Sequence, residues 1–168
     1  QEQIGRVPNA SAEEMTEAIT AAKDASKAWS KTTAKQRVAL IEEIAERLEG
    51  RADEFAKIEA LDTGNTVGPM TNDVYKAVER MRFYCGLAYE LKGMTVPSTP
   101  ENIHLTLREP YGVVGRIIPY NHPIGFAASR IAPALIAGNT IVVKPSEQAP
   151  LSASLLAEIC AELAPPGV

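Results

Sequence analysis

The chain has 168 residues, of which 45% are hydrophobic and 23% charged, with a formal net charge of −4, a balance that suits one compact globular domain. No Lys/Arg cluster could follow a phosphate backbone, so nucleic acid is not an expected partner, and the longest mainly apolar stretch, Ile131 to Val143, is too short and too interrupted to span a membrane. The two cysteines, Cys85 and Cys160, form neither a disulfide framework nor a C-x-x-C metal pair, which favours a reducing, cytoplasmic setting.

The first part of the chain predicts helices. Ser11 and Glu14 form an S-x-x-E capping box, in which each side chain satisfies a free backbone N–H of the first turn. Met15, Ala18, Ile19, Ala22 and Trp29 follow at helical spacing. Thr33 and Gln36 repeat the box ahead of Val38, Ile41, Ile44, Ala45 and Leu48, and Gly50 is expected just beyond the helix end, with positive φ. A third helix is expected through Phe55, Ile58 and Leu61 up to Gly64. A fourth carries Val74, Val78, Met81, Cys85 and Tyr89 up to Gly93. The glutamates of the first three helices are expected on solvated faces, with Glu42, Glu43, Glu46 and Glu49 pairing locally with Lys35, Arg37, Arg47 and Arg51.

The period changes after Gly93. Val96 to Pro100 is expected to be a short linker. From Asn102 to Arg108, polar and apolar residues alternate as in a half-buried strand. Val113 to Pro119 is a nearly continuous apolar run, as in a strand covered on both faces. A helix from Ile124 to Ala137, a strand from Thr140 to Lys144 and a helix from Leu151 to Leu163 complete the pattern. Strand, helix, strand, helix is the order of a parallel βαβ unit, so the fold class is α/β, with the early helices covering the sheet.

Ligands of open α/β sheets bind beyond the carboxyl ends of the strands. Two such ends occur here, at Pro119-Tyr120-Asn121-His122-Pro123 and at Lys144-Pro145-Ser146-Glu147. The phosphate fingerprint G-x-G-x-x-G is missing, because Gly112-Val113-Val114-Gly115 opens a strand and does not join a strand to a helix. On these residues alone, the two clusters make a ligand site of unspecified type. An Asn in that position also serves as a helix cap or turn former, and Lys144 with Glu147 also suits a surface charge pair.

The same residues carry a resemblance. Arg108-Glu109-Pro110-Tyr111-Gly112-Val113-Val114-Gly115, then Ile117 to Pro123, Ala132-Pro133-Ala134-Leu135, Ala137-Gly138-Asn139-Thr140 and Val143 to Glu147 resemble the aldehyde dehydrogenase superfamily in order and spacing. Leu61-Asp62-Thr63-Gly64-Asn65 is similar to its acidic-then-glycine segment. The family usually has Trp where Tyr120 stands.

The resemblance implies the N-terminal portion of a Rossmann-like coenzyme-binding domain over residues 1–168. Residues 94–109 serve as linker and oligomerisation strand, and the catalytic domain is absent. It implies oxidation of an aldehyde by NAD, or NADP, in the full-length parent. There a cysteine thiolate adds to the aldehyde, hydride leaves the thiohemiacetal for the coenzyme, and water releases the acid. Asn121 matches the asparagine whose amide stabilises the tetrahedral oxyanion, a task for a neutral double donor. Lys144 and Glu147 match residues that hold the adenosine ribose. Ile117, Ile118, Pro119, Tyr120, Pro145 and Ser146 match the lining of the coenzyme cleft. The parent is expected to be a homodimer or homotetramer.

Arg130 stands where some betaine-aldehyde-type members carry a charge-relay lysine. Arg cannot give up a proton, so no role is assigned to it. His104 is expected on a solvated face, and His122 receives no role. Cys85 and Cys160 lie among apolar neighbours on helices and are expected to be inert. Two other readings are a short nucleotide-binding module and a helical interaction module, each without catalysis.

Overall fold

A computed structural model describes residues 3–168. Four helices come first: α1 (Ala12–Trp29), α2 (Ala34–Gly50), α3 (Ala52–Thr63) and α4 (Val67–Leu87), followed by one 3-10 turn at Ala88–Glu90. A hairpin, β1 (Thr95–Thr99) and β2 (Asn102–Leu105), separates them from the βαβα unit β3 (Val113–Ile117), α5 (Pro123–Ile136), β4 (Thr140–Lys144) and α6 (Leu151–Leu163).

Both capping boxes form. Ser11 Oγ accepts from Glu14 N at 3.1 Å while Glu14 Oε2 accepts from Ser11 N at 2.7 Å, and Thr33 with Gln36 does the same. Gly50 is not a positive-φ cap. It is the last residue of α2, and Arg51, at φ −110°, ends α2 and begins α3 with no residue to spare. Gly64 does end α3 with a left-handed conformation, at φ 78°.

The core lies where α2, α3, α4, α5 and α6 meet, around Ile41, Ile44, Leu48, Phe55, Val74, Met81, Ile124 and Leu156. α1 joins it late. Ala22 and Trp29 are its only buried residues, and Ile19 stays 45% exposed. Trp29 Nε1 donates to Leu135 O at 3.2 Å and ties α1 to α5. On α3 the buried stripe is Ala52, Phe55, Ala56 and Glu59, so Leu61 points outward and Glu59 points in. α4 ends two residues before Tyr89, whose ring is exposed while Ala88 is buried. The glutamates of α2 pair across helices more than along them: Arg82 of α4 reaches Glu49 at 2.7 Å and Glu42 at 3.5 Å, and Arg47 reaches Glu162 of α6.

β3 and β4 run parallel, with Val113 opposite Thr140 and Ile117 opposite Lys144. The entry to this pair is tightly bonded. Asn139, buried, accepts from Gly112 N at 3.0 Å and donates to Ala134 O, and Thr140 Oγ1 donates to Ala22 O of α1. β3 is only half covered, against the expectation of full burial, because β4 is its single strand neighbour among the described residues. Val96 to Thr99 of the expected linker belong instead to strand β1, antiparallel to β2 with Val96 opposite His104, and Pro100 starts the turn. The β2 strand ends at Leu105, and neither hairpin strand has a buried residue, so the expected half-buried strand is fully exposed.

Candidate functional site at the strand ends

The register that pairs Ile117 with Lys144 sets the two strand ends side by side. Ile118 N donates to Lys144 O at 3.0 Å and extends the pairing by one bond. Beyond it the chain turns through Pro119, Tyr120, Asn121 and His122 into α5, and through Pro145, Ser146 and Glu147 toward α6.

A helix leaves its first N–H groups without intrahelical partners. Neither α5 nor α6 has a capping side chain of its own, since His122 and Pro150 occupy the cap positions without bonding the backbone. The partners come from α3. Glu59 Oε1 accepts from Ile124 N at 2.5 Å and from Ser152 Oγ at 2.8 Å. Asp62, one turn further along α3, accepts from Leu151 N at 3.0 Å. Two carboxylates spaced i, i+3 thus terminate two helices from the side, where negative charge meets the positive end of each helix dipole. Glu59 is fully buried and its Oε2 has no partner. Burial raises its carboxyl to about 6, against the lowering effect of the bonds from Ile124 and Ser152.

A cleft of about 430 Å³ opens between the end of α3 and the two turns, walled by Asp62, Asn65, Tyr120, Asn121, His122 and Gln148. Asn65 Nδ2 donates to Asn121 O at 3.3 Å and steadies the turn. The Asn121 amide itself donates no hydrogen bond among the described residues and is exposed at the cleft. His122 Nδ1 lies 2.5 Å from Asp73 Oδ2 of α4, which fixes the imidazole beside Asn121.

Lys144 and Glu147 do not line this cleft. They meet each other at the end of β4, Lys144 Nζ donating to Glu147 Oε2 at 3.3 Å and to Pro145 O at 3.1 Å. The Glu147 carboxyl is held below the usual range, first by its own backbone N–H and then by Lys144. Ser146 Oγ accepts from Gln148 N and closes the turn. Tyr120 and Ile117 are exposed, Ile117 by 75%, and Pro119 is exposed with them. Ile118 differs: its side chain is buried in the core, which leaves only backbone atoms for any ligand. Arg130 and His104 are exposed.

Neither thiol has the setting of a nucleophile. Burial pushes Cys85 up to about 12 and Cys160 up to about 11, so both stay protonated and unreactive at neutral pH. Among the described residues no group of His, Cys, Asp and Glu could hold a metal ion, and no helix is long and apolar enough to cross a membrane.

The residues that reading by sequence missed are Glu59 and Asp73. Glu59 had a signal, since it continues the buried series Ala52, Phe55, Ala56 at helical spacing. Asp73 had none, because its partner His122 lies 49 residues away.

Comparison with known proteins agrees along the whole chain. The aldehyde dehydrogenase family model matches residues 1–168. The aldehyde dehydrogenase tropH of Talaromyces stipitatus is 39% identical over 98% of this chain and 33% of its own length, and an acetaldehyde dehydrogenase of Pseudomonas aeruginosa is 37% identical with the same coverage. The betaine aldehyde dehydrogenase of Staphylococcus aureus, solved in complex with NAD+, superposes with a TM-score of 0.94 at 34% identity, over 99% of this chain and 34% of that one. A putative aldehyde dehydrogenase of Burkholderia cenocepacia gives 0.92 at 36% identity, covering 98% of this chain and 34% of its own. The chain thus spans about a third of the length of the curated relatives it matches. With the parallel strand ends, the turn carrying Asn121 and a match over every residue, the chain belongs to the aldehyde dehydrogenase family.

Proposed function

We propose that this chain is the N-terminal part of the coenzyme-binding domain of an enzyme that oxidises an aldehyde to a carboxylic acid with NAD, or NADP. The observation that carries the reading is Asn121. A neutral side-chain amide with unused donors stands at the carboxyl end of a parallel strand, in a cleft, on a turn held from outside by Asn65. Such an amide suits the oxygen that becomes negative when a thiol adds to an aldehyde carbon. The nucleophile is assigned outside this chain, since Cys85 and Cys160 are held protonated by burial.

The residues at the second strand end fit the coenzyme. Lys144 and Glu147 present a donor and an acceptor 3.3 Å apart, a pair suited to the vicinal hydroxyls of a ribose. Exposed Ile117, Pro119 and Tyr120, with Pro145 and Ser146 across the strand pair, offer an apolar surface and backbone atoms beside them. Ile118 contributes through its backbone. When bound, the coenzyme supplies the hydride acceptor. The protein's own part is to orient it and to stabilise charge at the carbonyl oxygen. A homodimer or homotetramer, assembled through the exposed β1–β2 hairpin, belongs to the same reading.

The test is turnover by the full-length enzyme, followed by reduction of NAD in the presence of aldehydes. Asn121→Ala is expected to lower kcat by about a hundred- to a thousand-fold, the usual loss for one oxyanion donor, with NAD affinity unchanged. Preserved kcat with lost NAD binding makes Asn121 a coenzyme ligand and overturns its assigned role.

A further inference from the structure

Two turns must keep one relative position for the proposed reaction, the Asn121 turn after β3 and the Lys144–Glu147 turn after β4. Each leads into a helix whose first turn has no capping side chain of its own. One carboxylate oxygen of Glu59, on a third helix, receives Ile124 N from α5 and Ser152 Oγ from α6. Asp62 adds Leu151 N.

We propose that Glu59 is a positioning residue, a clamp that ties the start of α5 to the start of α6 and so sets Asn121 against Lys144 and Glu147. The inference rests on the site assignments above. Glu59 does not line the cleft and its Oε2 makes no hydrogen bond, so its side-chain hydrogen bonds reach the site through the starts of α5 and α6. The charged groups that face it are Asp73 on α4, which disfavours its ionised form, and His122 ahead of α5, which favours it; Asp62 stands one turn away on α3. Full burial of Oε2 makes the ionised clamp costly, and a proton on that oxygen removes the charge while Oε1 keeps both bonds. Since the buried carboxyl titrates at about 6 against an ordinary 4.5, any opening that wets Glu59 becomes harder as the pH falls.

The experiment is hydrogen exchange at the first turns of α5 and α6 in the full-length enzyme, corrected for intrinsic rates, with steady-state kinetics of the same samples. Protection at these turns in the wild type is expected to rise about eight-fold between about pH 7.5 and about pH 5. Glu59→Gln, which keeps the acceptor oxygen and carries no titrating proton, is expected to stay flat and to retain kcat. Glu59→Ala is expected to lose protection at both turns together, with kcat down about ten-fold and KM for NAD raised, per folded enzyme. A wild-type profile that is flat with pH, a Gln variant that titrates like the wild type, or an Ala variant that melts earlier but turns over normally overturns the proposal. Asn121→Ala in parallel keeps the two readings apart: full turnover there removes the oxyanion assignment and leaves exchange at the two turns to decide the clamp.

Discussion

The helices around Phe55 and the hairpin at residues 95–105 both carry apolar side chains, and these meet opposite fates. Phe55, Ile41 and Val74 have no exposed surface, whereas Ile103 is 72% and Leu105 66% exposed. The helices bury their apolar stripes against one another, so their local pattern and their packing agree. The hairpin satisfies its backbone by pairing β1 with β2, but neither of its faces packs against the rest of the chain. Backbone pairing alone makes a two-stranded unit marginal in water. An exposed apolar strand also recruits other chains. One region therefore carries the stability of this chain, and the other leaves its apolar side chains uncovered.

The largest expected effect that sharpens this contrast is in the core. Phe55→Ala should cost about 3–5 kcal/mol, through lost burial and the cavity it leaves. Chemical denaturation measures it, and a loss under about 1 kcal/mol would mean that the helices rearrange to fill the space.

Next comes Glu59. Its carboxyl is raised in the folded state, so the folded protein binds more protons than the unfolded one between 4.5 and about 6. Stability is then greatest below 4.5 and falls as the pH rises through about 6, by about 2 kcal/mol in all. The difference between wild type and Glu59→Gln, followed by denaturation at several pH values, isolates this contribution. A difference that does not change with pH refutes it.

The capping boxes are smaller. Ser11→Ala and Thr33→Ala should each cost about 1 kcal/mol at most. Thr33 is expected to matter more, because α2 enters the core along much of its length while the start of α1 is exposed. Equal losses in thermal unfolding would show that α1 is as tightly coupled as α2.

The smallest effect on stability belongs to the hairpin. Ile103→Ser should change the stability of the isolated chain by less than about 0.5 kcal/mol, as for an exposed site. It should nevertheless reduce self-association, which the wild-type chain is expected to show through the hairpin and the open edge of the β3–β4 pair. Sedimentation at several concentrations decides: a monomeric wild type breaks the comparison, since the apolar hairpin would then be stable uncovered.

Sequence alone determined what is encoded within a few residues. The helix starts at Ser11 and Thr33 are local side-chain-to-backbone bonds, the glycine end at Gly64 needs only its own φ, and the strand–helix–strand–helix order after Gly112 follows from a change of period. The two strand ends, with Asn121 at one and Lys144 and Glu147 at the other, were legible for the same reason: topology puts the ends of parallel strands together. Tertiary structure decided which residue of a mixed stripe turns inward. On α3 it chose Glu59 over Leu61, because two helix starts supply donors that Glu59 Oε1 accepts together. It separated Asn121 from the Lys144–Glu147 pair, placed Ile118 in the core, and set Asp73 against His122. It also left the hairpin bare, although its alternation reads as half-buried. Alternation states that a strand has an apolar face but does not state which neighbour, if any, covers it.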